Sequence, residues 1–231
     1  MTIKYKTPEA FADAQRRGTT RTYTVGVDLG QTTDPTAIAV IEREHIPGGT
    51  LRGSPPTPSR TAYILRHLER LKLGTPYPAQ VAYVGSLLAR PPLSNTEGTE
   101  LIIDKTGVGR AVFDMFAAAG FKPKGCTITG GENETWSMGD YRVAKLQLVS
   151  RLQAMLHSGE LEIAGDLPDL PALKAELQNF RVNFTQVGNM TFAARMGTHD
   201  DLVLAVAIAL WYAEHRANHV SGGSLQWMPD T

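Results

Sequence analysis

The sequence predicts a mixed α/β fold, one domain with a sheet of about five strands flanked by helices on both faces. Three observations carry this expectation. Three β-branched apolar segments lie close together early in the chain. Helical and strand-like periods then alternate. The last strongly patterned segment is an apolar helix that opens on two aspartates, Asp200 and Asp201. The 231 residues, 42% hydrophobic and 20% charged, suit one core of ordinary composition.

Residues 1–20 are polar and are read as an N-terminal arm, with a short helix over 8–17 and a solvated basic cluster of Arg16, Arg17 and Arg21. Thr22–Asp28 (TYTVGVD) is apolar and β-branched and ends at an acid ahead of Gly30, so it reads as a buried strand entering a turn. Asp34-Pro35 breaks the chain, and Thr36–Ile41 (TAIAVI) is the second strand. Pro47-Gly48-Gly49, Gly53 and Pro55-Pro56 mark 42–60 as a surface loop. Thr61–Leu68 is the third strand. Short connections make an antiparallel meander the economical arrangement of these three.

Pro78–Ala89 carries Val81, Val84, Leu87 and Leu88 on one helical face. Leu101–Asp104 (LIID) is a fourth strand that again ends in an acid. Gly107 and Gly109 lead into a helix over Arg110–Ala119, stopped by Gly120. Cys126–Thr129 is a short strand. Asp140–His157 reads as one long amphipathic helix ended by Gly159, and Leu170–Asn179 as another. Phe180–Phe184 and Met190–Ala194 flank Gly188-Asn189, which predicts a hairpin. Asp200–Arg216 is apolar nearly all round and should be buried. The domain is expected to span 21–217, with a loose tail over 218–231. The chain shows no internal repeat.

Formal net charge is zero, so no overall basicity argues for nucleic acid. An acidic cluster and a basic groove could still cancel in that sum. The single cysteine, Cys126, excludes an internal disulfide and a cysteine-based zinc site, and it reads as a small buried residue. No apolar run approaches the ~18 residues that span a membrane. The N-terminus lacks the apolar centre of a signal peptide. An intracellular protein is expected.

The acids stand where such a sheet would gather them. Asp28 ends the first strand, Asp104 ends the fourth, and Asp200 and Asp201 open the last helix. Functional groups of open α/β sheets collect at the carboxyl ends of parallel strands. If the first and fourth strands are parallel neighbours, their aspartates meet at one edge, and Asp201 can be presented to them. Carboxylates so close resist joint ionisation, and a divalent cation relieves that. Magnesium and manganese favour oxygen ligands. Two such ions support in-line phosphodiester hydrolysis. Each acid also has a purely structural reading: Asp28 and Asp104 as turn residues, Asp200 as a helix cap with Asp201 in the first turn.

Three segments carry a resemblance to a known family. VGVDLGQTTDPTAIAV (25–40), LIIDKTGVGRAVFDMF (101–116) and GTHDDLVLAVAIALW (197–211) resemble, in order and spacing, the acidic segments of the nuclease domain of tailed-phage terminase large subunits. The Gly188-Asn189 hairpin ahead of the last helix fits as well. The resemblance spans about residues 22–216. It implies a ribonuclease H-like fold and a DNA endonuclease that cuts concatemeric viral DNA during genome packaging. It implies Asp28, Asp104 and Asp201 as catalytic metal ligands, Asp200 as a fourth, and two Mg2+ or Mn2+ ions. It gives His199 a supporting or phosphate-contacting role, and Lys105 and Arg110 contacts to the DNA backbone. Lys122, Lys124, Arg142 and Lys145 are further groove candidates. Partners would be double-stranded DNA, a packaging ATPase, a small terminase subunit and a portal, in the cytoplasm of an infected or lysogenic host cell. No G-x-x-x-x-G-K-[ST] phosphate loop is present, so an isolated or stand-alone nuclease is expected, without translocation.

Other readings stay open. A Holliday-junction resolvase-like enzyme of the same fold would use the same carboxylates. Asp28-Leu29-Gly30 with Thr32-Thr33 also resembles the phosphate loop of sugar kinases and actin-like ATPases, but those duplicate the fold and need a second glycine-rich segment. A non-catalytic DNA-packaging subunit would keep the fold without the chemistry. Buried unpaired carboxylates are costly in such a protein.

Overall fold

The computed structural model describes residues 4–5, 12, 16, 18–106, 109–131, 134–137, 139–184, 190–194 and 199–221. The short helix expected over 8–17 lies almost wholly outside the described residues. So do the turn Gly188-Asn189 and positions 222–231.

The strands are β1 (Lys4–Tyr5), β2 (Thr20–Asp28), β3 (Ala37–Ile46), β4 (Thr50–Leu51), β5 (Arg60–Arg70), β6 (Glu100–Asp104), β7 (Lys124–Thr129), β8 (Thr135–Ser137), β9 (Asp140–Ala144), β10 (Leu161–Ile163), β11 (Phe180–Phe184) and β12 (Met190–Ala194). The helices are α1 (Tyr77–Leu88), α2 (Gly109–Ala118), α3 (Lys145–Ser158), α4 (Leu170–Asn179) and α5 (Asp201–Ser221). Among the described residues the main sheet has eight strands, in the order β10-β5-β3-β2-β6-β7-β9-β8. The pairs β2–β3, β3–β5 and β8–β9 are antiparallel, and β2–β6, β6–β7, β7–β9 and β5–β10 are parallel. The sheet is therefore mixed, with the expected meander of early strands. It is wider than the five strands expected.

The extra width has physical causes. Asp140–Ala144 is a strand, not the first turn of the long helix expected over Asp140–His157. Tyr141 and Val143 alternate with exposed neighbours at period two, but that short run abuts a helical pattern and merges with it in the sequence. The helix itself starts at Lys145, after an extended Ala144, and ends at Gly159 in the left-handed region. The strands β8 and β10 are three residues each, too short to show a period.

The loop expected over 42–60 is also shorter than predicted. Strand β3 runs on through Glu42–Ile46 because its charged side chains find partners across the sheet: Arg21 and Arg66 on Glu42, and Arg21 on Glu44. Arg21 is thus part of a strand rather than of a solvated arm. Positions 52–60 are exposed. The strands β11 and β12 pair antiparallel, Phe184 with Met190, as expected for a hairpin.

Alternation along the central strands gives each face its own core. Val25, Val27, Ile38, Val40, Leu101 and Ile103 meet α1 and α2 through Val81, Val84, Val112 and Phe116. Ala37, Ala39, Ile41, Leu65, Ile102 and Cys126 face the other way, into the core that contains Leu148, Leu152 and the apolar half of α5. Every residue of α5 from Asp201 to Ala213 is buried, which explains a helix that is apolar all round. Fully burying one such Val or Leu side chain is worth about 1.5–3 kcal/mol. Cys126 is wholly buried, and desolvation drives its thiol pKa up.

Gly26 sets how close α5 lies to the sheet. A Cβ there would sit 2.5 Å from the Ala205 carbonyl oxygen and 2.7 Å from the Ala209 Cβ. The missing side chain lets the helix rest on the backbone of β2. Among the described residues no helix is long and apolar enough to cross a membrane.

Candidate functional site

The register of β2 and β6 brings the first two aspartates together. The strands are parallel neighbours, with Val27 opposite Ile103. Asp28 and Asp104 are the next residue on each, at the same level. Side chains alternate, so Asp28 shares the face of Gly26, and Asp104 that of Ile102, which is the face covered by α5.

The helix supplies the other two. Ala205 lies over Gly26. Two residues along β2 is about 6.6 Å, and four residues back along α5 is about 6 Å. Those two steps lead to Asp28 and Asp201. Asp200 precedes Asp201 at the helix start, and its carbonyl accepts the Leu204 N–H.

The electrostatics follow from this gathering. Asp28 has its pKa raised well above the usual carboxylate value, first by desolvation and then by the charges of Asp104, Asp201 and Asp200; Lys145 opposes the shift. Asp104, 5% exposed, is raised by desolvation and held back by hydrogen bonds from Thr106 and by Lys145. One of those bonds is the Thr106 N–H to Asp104 Oδ1, at 2.8 Å. Asp201, 3% exposed, is raised by desolvation, and Arg70 opposes this.

Two cations answer these charges directly. Lys145 Nζ lies 2.6 Å from Asp200 Oδ2. Arg70 Nε donates to Asp201 Oδ2 at 2.5 Å and its Nη2 to Oδ1 at 3.3 Å. Among the described residues, no three His, Cys, Asp or Glu side chains already converge as a metal cage. The aspartates share one neighbourhood, while Arg70, Lys145 and Thr106 hold their oxygens. The donor set suits a hard divalent cation, all carboxylate oxygen with no sulfur.

The loop after β2 is built to order. Gly30 donates its N–H to Thr36 Oγ1 at 3.0 Å, and the buried Gln80 of α1 donates to the Gly30 and Thr75 carbonyls at 2.8 and 2.7 Å. This loop carries Asp34, whose Oδ1 lies 3.1 Å from His199 Nδ1; His199 Nδ1 is also 3.8 Å from Asp201 Oδ1. His199 thus stands at the exposed margin of the aspartates.

Lys105 is less available than the sequence suggested. Its Nζ is 2.7 Å from Asp140 Oδ1 and lies over the Phe113 ring. Lys145 belongs among the aspartates rather than merely in a groove. The side chain of Arg110 lies outside the described residues. Arg70, Glu176, Asp34 and Gln80 were not found from the sequence. Gln80 sits on the buried face of a helix that shows only its apolar stripe, and Arg70 ends a strand two residues past its expected limit.

Carboxylates thus stand at the ends of parallel central strands of a mixed α/β sheet, faced by the start of a buried helix. Among solved structures, the large terminase nuclease from thermophilic phage G20c is similar at TM-score 0.55 and 23% identity, over 83% of this chain and 82% of that one. The same nuclease with bound magnesium gives TM-score 0.54 and 22% identity, over 90% and 84%. The large terminase nuclease domain of Thermus phage P74-26 gives TM-score 0.54 and 20% identity, over 90% and 83%. The chain therefore has the fold of these phage terminase nucleases. No protein-family model matches it, and no curated protein matches it.

Proposed function

We propose that this chain is a divalent-metal-dependent DNA endonuclease of the terminase large-subunit type, cutting concatemeric viral DNA during packaging. The observation that carries the reading is the placement of Asp28 and Asp104 at one level on one sheet face, under the start of α5 with Asp200 and Asp201. The likeness of fold to nucleases, one of them crystallised with magnesium, supports it.

In this reading Asp28, Asp104 and Asp201 offer carboxylate oxygens to two Mg2+ or Mn2+ ions, with Asp200 as a fourth. Such ions, when bound, polarise the scissile phosphate and help an attacking water and a leaving oxygen. The protein orients that chemistry. Thr106 fixes Asp104 by a backbone hydrogen bond. Arg70 fixes Asp201. Lys145 balances the aspartates from inside the site. His199 and Asp34 line its exposed margin, where a DNA backbone would approach. Double-stranded DNA is the substrate, and a packaging ATPase, a small terminase subunit and a portal are the partners this reading brings with it.

Plasmid cleavage tests it. The purified chain should nick or linearise plasmid with magnesium or manganese, stop with chelator, and lose activity on Asp104→Asn. A folded sample that cuts nothing with either metal, or an Asp104→Asn variant that cuts as well as the parent, would sink the assignment.

A further inference from the structure

A three-way contact behind Asp201 has a geometry that a simple surface ion pair lacks. Arg70 ends β5, and its backbone N–H donates to Asp169 Oδ2 at 2.9 Å, just ahead of α4. Its guanidinium grips both oxygens of Asp201. The same guanidinium rests against Glu176 of α4, which is 6% exposed. Glu176 in turn accepts the Val203 N–H through Oε2 at 3.0 Å. That N–H is one of the first-turn donors a helix cannot satisfy within itself. The end of β5, the middle of α4 and the start of α5 are therefore closed into one ring, and the Asp201 carboxylate sits in it.

We propose that Arg70 and Glu176 are positioning residues for Asp201, a proposal that rests on the metal-site reading above. The Asp201 carboxylate cannot turn without giving up both guanidinium bonds. The Arg70 fork cannot follow it without leaving Glu176. A carboxylate has about four acceptor positions, and Arg70 takes two, which leaves acceptor capacity for another cation beside His199, 3.8 Å from Oδ1. The charges also fail to cancel within the ring. One guanidinium serves two buried acids, Asp201 and Glu176. The surplus negative charge lies at the site where a divalent ion is expected.

Outer-shell partners that orient a ligand are worth about 10–100-fold in metal affinity or activity. Calorimetric titration of the full chain with Mn2+, without DNA, reads this directly. Arg70→Gln and Glu176→Gln should each weaken Mn2+ binding about 10–100-fold. Glu176→Gln keeps an acceptor for the Val203 N–H, but loses the charge facing Arg70 and turns an amide NH2 toward the guanidinium. Arg70→Lys keeps the charge but not the planar fork, and should fall between parent and Arg70→Gln. Thermal unfolding of the same metal-free samples separates folding from positioning. A merely structural bridge would lower the unfolding temperature and leave the folded Arg70→Lys and Glu176→Gln variants with parental Mn2+ affinity, which would overturn the proposal. Variants that bind Mn2+ more tightly than the parent would overturn it as well, by making Arg70 a competitor. A parent that binds no Mn2+ would instead sink the metal-site reading, and this proposal with it. If Arg70→Gln does not fold, the other two variants decide.

Discussion

A buried and a half-buried carboxylate stand toward opposite ends of the antiparallel pair β2–β3, and their surroundings differ in kind. Glu42, 4% exposed, meets Arg66 Nε at 2.8 Å, Arg21 Nε at 3.2 Å and the Tyr23 hydroxyl at 3.3 Å. Its charge is answered by cations and a donor. Asp28, at the other end, has three aspartates among the causes that raise its pKa and one lysine against them. Burial alone does not separate a structural acid from a functional one. Their charged neighbours differ: cations surround Glu42, and aspartates surround Asp28. Glu42, matched by cations, holds the sheet together, while the Asp28 cluster holds four aspartates against Lys145 and Arg70.

Asp28→Asn breaks the comparison most sharply. Cleavage should fall by more than the roughly 100-fold that marks the upper range for outer-shell losses. The metal-free protein should nonetheless unfold at a higher temperature, because one of the crowded charges is gone. A variant that loses stability along with activity would make Asp28 a structural acid like Glu42. Plasmid cleavage and thermal unfolding on one preparation decide.

Gly26→Ala tests whether the site depends on how close α5 lies. The new Cβ would press on the Ala205 carbonyl and Ala209. Overpacking of this kind costs about 1–3 kcal/mol. The shift moves Asp201 relative to Asp28, so Mn2+ affinity should fall together with stability. Lost stability with unchanged affinity would uncouple the helix from the site.

The mirror-image variant is Glu42→Gln. Arg21 and Arg66 are 54% and 47% exposed, so water replaces much of what they lose. The expected cost is about 1 kcal/mol, which lowers the unfolding temperature by roughly 2–4 °C in a chain of this size. Cleavage should be unchanged. A large drop in cleavage would show that the two ends of β2 are coupled.

Much of the site was legible because its acids mark ends of elements. Asp28 and Asp104 close apolar strands, and Asp200-Asp201 opens an apolar helix, so a pairing rule sufficed to bring them together. Arg70 was not legible, and Lys145 was named only as a groove candidate, without its aspartate partner. Lys145 opens a helix whose start was hidden by the strand Asp140–Ala144, and Arg70 reaches Asp201 from 131 residues away. Local pattern says which face a residue takes, but not which charge will meet it there. The same limit hid β10, which pairs with β5 far off in sequence, whereas β8 pairs with the adjacent β9 and was hidden by its three-residue length.

The pH dependence sharpens the contrast further. Asp28 holds its proton more tightly in the fold than in the unfolded chain. Its contribution to stability is fully present below the ordinary aspartate pKa of about 3.9. It is lost as pH rises through the raised folded value, because the native state binds more protons across that window. With chelator present, the unfolding temperature of the parent relative to Asp28→Asn should therefore fall as pH rises from about 4. A difference that stays flat with pH would contradict the crowding of the aspartates.

The smallest expected effect concerns Lys105, and it separates a cation already engaged from one free for DNA. Each phosphate contact contributes about 0.9 to the slope of log affinity against log salt on duplex DNA. Lys105 is bound to Asp140 and lies on the Phe113 ring. Reaching a phosphate would mean leaving both. DNA affinity of Lys105→Ala, measured across salt with a non-cleaving metal such as Ca2+, should keep nearly the parental slope. A change close to 0.9 would mean that the Lys105–Asp140 pair opens on DNA, setting it apart from the arginine pairs of Glu42, which hold the sheet together.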